Sequence, residues 1–178
     1  EAFSALPIGS ATWYFGTQEY QGLMATTNKG VLVNPVIDVT ALDLRTGAGE
    51  PAYQSFEERT VGVAPEDDQA PLGQLLYLGA PECDDSCVDR LYFLRQLHVR
   101  LGREFDRIQR VYVQASDVPG PLPENTAALL AEQQADMKVV YAGRTARSNQ
   151  LRATVRPGVD PLAQHYIYVV DPLGNVTL

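Results

Sequence analysis

Several features are missing from this sequence of 178 residues, and each absence excludes a class of protein. It has no run of about eighteen apolar residues, so none of its segments is predicted to span a bilayer. Lysine occurs only at Lys29 and Lys138, and the net charge of -8 comes without any basic stripe that could neutralise phosphates. We therefore expect no nucleic-acid partner. It also lacks a Ser/His/Asp grouping, a phosphate-cradling glycine loop and a dinucleotide fingerprint.

Cysteine is scarce as well, with only Cys83 and Cys87 in the whole sequence. Two cysteines cannot form the dense disulfide framework of a small secreted scaffold. A single close pair indicates redox chemistry, a metal site or one local structural bridge. The residues alone leave these three interpretations open.

The stretch 74–101 organises the chain, because it delivers both cysteines to the start of a helix. Leu75–Leu78 is a short apolar run typical of a strand, and Gly79, Ala80 and Pro81 end it. Beyond Cys87, apolar residues recur three or four apart, which predicts an amphipathic helix over 85–101 that Gly102 helps to end. Free N–H groups and the positive dipole at a helix start both stabilise a thiolate.

The rest of the second half alternates strands and helices. Strands are predicted at 74–79, 110–115, 137–141 and 165–170, a helix at 124–134, and a turn at 171–175 before a last paired strand. Before them, short strands are predicted at 31–33, 36–44 and 60–63, as a β-rich N-terminal extension. A helix between the first two strands of the second half requires them to be parallel. The result is a layered α/β fold with the cysteines at the carboxyl end of a strand, where ligands usually bind.

Residues 1–25 are predicted to be an irregular segment ahead of a domain over 26–178. The sequence opens on Glu1 without an initiating Met, which suggests that something upstream has been removed. Aromatic residues among the first twenty either pack against the domain or lie just outside a membrane, where such rings favour the interface.

Three sequence stretches resemble the Sco/SenC family of thioredoxin-fold proteins, in a divergent bacterial branch: TTNKGVLV, LLYLGAPECDDSCVDRLYFLRQ and IYVVDPLGNVTL. The resemblance implies a three-layer α/β/α thioredoxin-like fold on the periplasmic side of the inner membrane, with a membrane anchor upstream of the sequence. It also implies a role in copper delivery during cytochrome c oxidase assembly, with an oxidase subunit or another copper or thiol protein as partner. Residue by residue, it implies that Cys83 and Cys87 are redox and copper-binding cysteines and that His165 is the third copper ligand.

The chemistry of the pair supports copper(I), because soft sulfur ligands select it and a third nitrogen ligand completes a trigonal site. Two cysteines four apart on a helix are too distant to bridge, so Cys83 must lie in the preceding loop if a disulfide forms. His98 is no partner, because it lies about 16 Å from Cys87 along the same helix. The cysteines and the two histidines also fit no usual zinc pattern.

Carboxylates surround the pair at Glu82, Asp84, Asp85 and Asp89. Negative charge raises a thiol pKa and so disfavours fast thiol-disulfide exchange, whereas a bound cation compensates it. We therefore place copper binding and thiol maintenance first. A general thiol-disulfide oxidoreductase and a non-catalytic binding domain with a static disulfide remain the alternatives.

Overall fold

The computed structural model describes residues 33–55, 57, 58, 61, 72–116, 119–143 and 159–177. Its strands and helices are β1 (Ile37–Asp38), β2 (Gly73–Gly79), α1 (Asp85–Val99), β3 (Ile108–Ala115), α2 (Glu124–Gln133), β4 (Lys138–Ala142), β5 (Ile167–Val170) and β6 (Asn175–Val176). Two 3-10 helices cover Val39–Leu42 and Gly102–Arg107. The segment 1–25 and the predicted strand 60–63, apart from Val61, lie outside the described residues.

The strands of this part of the chain form one mixed sheet in the order β1-β6-β5-β2-β3-β4. Strands β2, β3 and β4 are parallel to one another, as the intervening helices require. Strand β5 pairs antiparallel with β2, and β6 folds back on β5 through the predicted turn at 171–175. The carboxyl ends of the three parallel strands therefore lie at the same edge of the sheet. The loop that carries the cysteines follows β2 at this edge.

Both α-helices cover the same face of the sheet, because residues of both belong to one core cluster. This is expected where successive crossovers of the same hand advance in one direction, here from β2 to β4. The core on that face is built from both helices and the strands beneath them, including Leu75, Tyr77, Cys87, Leu91, Leu94, Tyr112 and Leu130. Side chains of the segment 33–44 and of Tyr53 pack against the opposite face. In the described residues, therefore, one helical layer and the sheet of the predicted three-layer fold are seen.

Helix α1 follows the prediction closely but ends two residues early. Its buried stripe consists of Cys87, Leu91, Leu94 and His98, which are spaced for one helical face. After the helix, Gly102 adopts a φ of +58°, a backbone conformation that glycine reaches without steric cost. No helix among the described residues combines the length and the apolar character that crossing a membrane requires.

The N-terminal strand prediction is largely wrong. Of the predicted strand 36–44, only Ile37–Asp38 is extended, and Val39–Leu42 forms a 3-10 helix. The side chain of Asp38 accepts a hydrogen bond from the Thr40 N–H at 2.7 Å and so caps this turn. Because Val39 and Leu42 are three residues apart, this turn directs both side chains towards the sheet, where each is 1% exposed. Of the predicted strand 31–33, Val33 is the one described residue, and it lies outside the strands.

A buried arginine lies at the amino end of the parallel strands, opposite the cysteines. The side chain of Arg110 in β3 is 3% exposed and forms an ion pair with Asp136, which is 54% exposed. It also donates a hydrogen bond to the side-chain oxygen of Gln134. Burial alone would raise the pKa of Asp136, but the hydrogen bond and charge of Arg110 outweigh it and hold that pKa below its ordinary value. The pair thus ties β3 to the loop after α2.

We expect Asp136→Asn to lower the free energy of unfolding at pH 7 by about 1 kcal/mol, a value kept low because solvent screens the half-exposed carboxylate. The folded pKa lies below the ordinary 3.8, so the contribution is present above that value and is lost as the pH falls through the folded pKa. Urea unfolding at pH 7 and below pH 3.8 measures this difference. The control Glu104→Gln removes the exposed pair with Arg107. A deficit for Asp136→Asn that does not shrink in acid would contradict this account.

Candidate redox and metal site

The two cysteines are joined by a disulfide, with their Cα atoms 5.2 Å apart. Cys83 lies in the loop before α1, as bridging requires, and Cys87 lies in the first turn of the helix. Cys87 is 2% exposed, whereas Cys83 is half-buried. The bridge therefore presents one sulfur-bearing residue towards solvent and shields the other.

Asp84 begins the helix that carries Cys87. Its carboxylate accepts a hydrogen bond from the Cys87 N–H at 2.9 Å, which satisfies one of the free donors of the first helical turn. Its carbonyl accepts the first helical hydrogen bond from the Val88 N–H at 2.9 Å. One of the four nearby carboxylates thus has a structural role at the helix start. All four carboxylates, Glu82, Asp84, Asp85 and Asp89, are exposed.

Thr126, in the first turn of α2, holds the loop that carries Cys83. Its hydroxyl accepts a hydrogen bond from the Cys83 N–H at 3.1 Å and donates one to the Pro81 carbonyl at 2.9 Å. The residue is 1% exposed. A second helix therefore fixes the backbone of the more exposed cysteine.

Two buried tyrosines lie beneath the site. Tyr77 and Tyr112 meet edge to face, with ring centroids 5.7 Å apart, and the Tyr112 hydroxyl donates to the Ala80 carbonyl. Burial is the main cause that raises the pKa of each phenol well above its ordinary value of 10, and the nearby Asp84 carboxylate adds to it. Both hydroxyls therefore stay protonated at neutral pH and serve as polar anchors for the loops above them.

His165 lies above Tyr77, in a turn and not in a strand as predicted. Strand β5 begins only at Ile167, and His165 has a φ of +52°, which is uncommon for a residue other than glycine. Its N–H donates to the Leu162 carbonyl at 3.1 Å, and its Nδ1 atom lies within a 2.8 Å hydrogen bond of the Tyr77 hydroxyl. This contact engages Nδ1 and leaves Nε2 as the nitrogen that could bind a ligand.

The structure brings His165 and Cys87 to one cleft of about 250 Å³, which we call the cysteine cleft. Its walls are Ala80, Glu82, Asp84, Cys87, Leu162, Ala163 and His165. A neighbouring hollow of about 410 Å³ shares Ala163 and His165 with it and extends along α1 to Phe93. The disulfide thus lies beside open space that an incoming group can enter.

Within the described part of the chain, no group of three or more His, Cys, Asp and Glu residues is assembled to hold a metal ion. With both sulfurs in the bridge, the predicted set of Cys83, Cys87 and His165 does not form such a group. His98, which the sequence excluded, is 3% exposed and its Nε2 atom lies 2.9 Å from the Phe105 carbonyl oxygen. It contributes to the packing at the end of α1 and has no place at the cysteines.

Sequence reasoning missed three residues of this site: Tyr77, Tyr112 and Thr126. Tyr77 and Tyr112 are indistinguishable in the sequence from ordinary strand residues, and Thr126 from an ordinary helix residue. The hydrogen bond between Tyr77 and His165 spans 88 positions, and that between Cys83 and Thr126 spans 43. One signal was available, because a hydroxyl near a helix start and a tyrosine on a buried strand both require hydrogen-bond partners.

Comparison with known proteins supports the fold. A family model described as "Transmembrane-like, thioredoxin-like, C-terminal domain" matches residues 73–178. No curated protein matches the chain. The predicted thioredoxin-like fold is therefore confirmed by the family model.

Three solved Sco structures are similar to the chain. Bradyrhizobium japonicum ScoI with copper bound has 12% sequence identity and a TM-score of 0.46, and the match covers 76% of this chain and 83% of that chain. Arabidopsis thaliana ScoI with copper bound has 11% identity and a TM-score of 0.48, with 81% of this chain and 84% of that chain covered. BsSco, a member of the Sco family of cytochrome c oxidase assembly proteins, has 12% identity and a TM-score of 0.44, with 84% of this chain and 82% of that chain covered.

Proposed function

Because the chain belongs to the family of transmembrane-like, thioredoxin-like C-terminal domains, we propose that it is a copper-binding and thiol-redox accessory protein that uses Cys83 and Cys87. One observation carries the proposal: the two cysteines are within bonding distance at the start of a helix, beside an open cleft. A thioredoxin-like sheet with a close cysteine pair at this edge is suited to chemistry at sulfur.

The two activities use the same sulfur atoms and therefore exclude each other at any moment. In the bridged form neither sulfur is a thiolate. Reduction of the bridge by two thiols gives two cysteine thiols and one external disulfide. Copper(I) then replaces the two thiol protons, because soft sulfur ligands select this ion. The redox state of the pair would thus decide whether copper, as cargo, can be taken up.

His165 is the proposed third ligand. It lines the cysteine cleft together with Cys87, and its Nε2 atom is not engaged by Tyr77. The hydrogen bond at Nδ1 resembles the outer-shell contacts that orient ligating histidines. Because the bridged form has no assembled group of three ligands among its described residues, two sulfurs supply the main affinity in this proposal. His165 would add to it only after the bridge opens.

The charge around the site suits a cation. Glu82, Asp85 and Asp89 are exposed near the pair, and a bound cation offsets the repulsion that they impose on two thiolates. As partner we propose a cytochrome c oxidase subunit or another copper or thiol protein. As location we propose the periplasmic side of the bacterial inner membrane, reached through an anchor upstream of this sequence.

A copper(I) titration tests the proposal. The protein is reduced, freed of reductant under nitrogen and titrated with copper(I) in competition with a coloured chelator. The oxidised protein, identical in every other respect, is the matched control. We expect one copper(I) ion per reduced chain and none per oxidised chain, because only the reduced form offers thiolates. Equal copper(I) affinity of the reduced and oxidised forms would contradict the proposal.

A general thiol-disulfide oxidoreductase is the second candidate, and the bridged pair with a half-buried Cys83 favours it. This function requires rapid exchange with a model disulfide and a Cys83 thiol pKa well below that of free cysteine. Slow exchange together with tight copper(I) binding would favour the first candidate. A bridge that resists glutathione in the folded protein would leave a static disulfide, and both candidates would then fail.

A further inference from the structure

A single buried hydroxyl connects the cysteine loop to a helix distant in sequence. The Oγ1 atom of Thr126 accepts from the Cys83 N–H and donates to the Pro81 carbonyl, at 3.1 and 2.9 Å. It thereby holds the backbone on both sides of Glu82. Since Thr126 is 1% exposed, water cannot readily replace these bonds.

The two cysteines are therefore fixed by different elements. The N–H of Cys87 is held at 2.9 Å by Asp84, which caps the same helix. Cys83 precedes that cap, and its N–H is bound by Thr126 of α2. The separation of the two Cα atoms, 5.2 Å in the bridged form, thus depends on how α2 holds the loop.

We propose that Thr126 is a positioning residue for the redox chemistry of Cys83 and favours the bridged form over the dithiol. This inference rests on the proposed function, in which the bridge opens and closes. Two thiols held at bonding distance have a high effective concentration towards each other, which favours closure. A loop released from α2 would let the sulfurs move apart and would lower that effective concentration.

The reaction used to test this is exchange with glutathione. A glutathione thiolate attacks the sulfur of Cys83, the bond between the two cysteines breaks, and Cys87 leaves as a thiolate that takes up a proton. A second glutathione thiolate attacks the mixed disulfide, so that oxidised glutathione forms and Cys83 leaves and is protonated. Overall, one bridge and two glutathione molecules give two cysteine thiols and one glutathione disulfide.

Three variants separate positioning from general stability. Thr126→Val keeps the shape but removes both hydrogen bonds, and Thr126→Ser keeps the hydroxyl. The control Thr177→Val removes a hydrogen bond to the Val169 carbonyl in the terminal hairpin. In glutathione buffers we expect Thr126→Val to shift the equilibrium towards the dithiol by roughly fivefold, which corresponds to a net difference of about one hydrogen bond between the two redox forms. The other two variants should stay within about twofold of wild type.

A second measurement needs no variant. By thermodynamic reciprocity, reduction must weaken the hydrogen bonds of Thr126 to the loop by the same factor with which these bonds favour the disulfide. Amide hydrogen exchange at Cys83 should therefore be roughly fivefold faster in the reduced protein than in the oxidised one. This comparison stands even if Thr126→Val fails to fold.

The outcomes are distinguishable. An unchanged glutathione equilibrium in Thr126→Val, with equal loss of thermal stability in both redox forms, would mean that Thr126 only stabilises the fold, and it would overturn the inference. Equal protection of the Cys83 amide in both forms would overturn it as well. A wild-type bridge that glutathione cannot open would instead overturn the proposed function, and this inference with it.

Discussion

Cys83→Ser should lower the copper(I) affinity of the reduced protein by more than about a hundredfold, because the loss of a direct ligand exceeds the tenfold to hundredfold cost of losing an outer-shell contact. A serine hydroxyl is a hard oxygen donor and a poor ligand for a soft cation. His165→Ala should cost less, because two sulfurs remain. Competition with a copper(I) chelator measures each affinity at fixed pH.

Substitutions at two further positions test whether the loss of affinity is specific to the two sulfur atoms. Cys87→Ser should match Cys83→Ser, because a two-sulfur site needs both residues. Ser86→Ala is the matched control, since its position in α1 lies between the cysteines and is exposed. Wild-type affinity in Cys83→Ser would exclude the pair as the site. A loss in His165→Ala as large as in Cys83→Ser would show that the histidine is an equal ligand.

Gly79→Ala should destabilise the protein by about 1 to 3 kcal/mol, the usual cost of overfilling a packed core. Gly79 ends β2, and a Cβ atom there would lie 2.6 Å from Cζ of Tyr112, a fully buried ring. The ring would have to move, although its hydroxyl is bound to the Ala80 carbonyl at the start of the cysteine loop. Urea unfolding gives the loss, and we also expect a changed glutathione equilibrium.

Gly120→Ala is the control for this prediction, because a Cβ atom there meets nothing within 4 Å. Its stability should stay within about 0.5 kcal/mol of wild type. If Gly79→Ala were as stable as Gly120→Ala, Tyr112 would not be the rigid support of the cysteine loop that the structure indicates. The tyrosine would then be free to adopt another position.

The parallel half of the fold was predictable from sequence because its signals are local. The apolar run before Gly79 and the helical spacing after Cys87 each depend on neighbouring residues, and the predicted strands and helices lie within three residues of those observed. The alternating apolar residues of the segment 36–44 predict a strand, but the same pattern also suits a capped turn that packs on a sheet. The β-forming neighbours of His165 likewise predict a strand, whereas His165 itself has a positive φ.

The sequence by itself determined the fold class, the order of the elements from β2 onward and the location of both cysteines where a strand meets a helix. Only the tertiary structure decided what surrounds them: the hydroxyl of Thr126 on Cys83, Tyr77 beneath His165, and a cleft shared by His165 and Cys87. The reason is physical. Local spacing governs hydrogen bonds within a helix or turn, whereas contacts between distant residues exist only once the sheet has set the helices and turns around it.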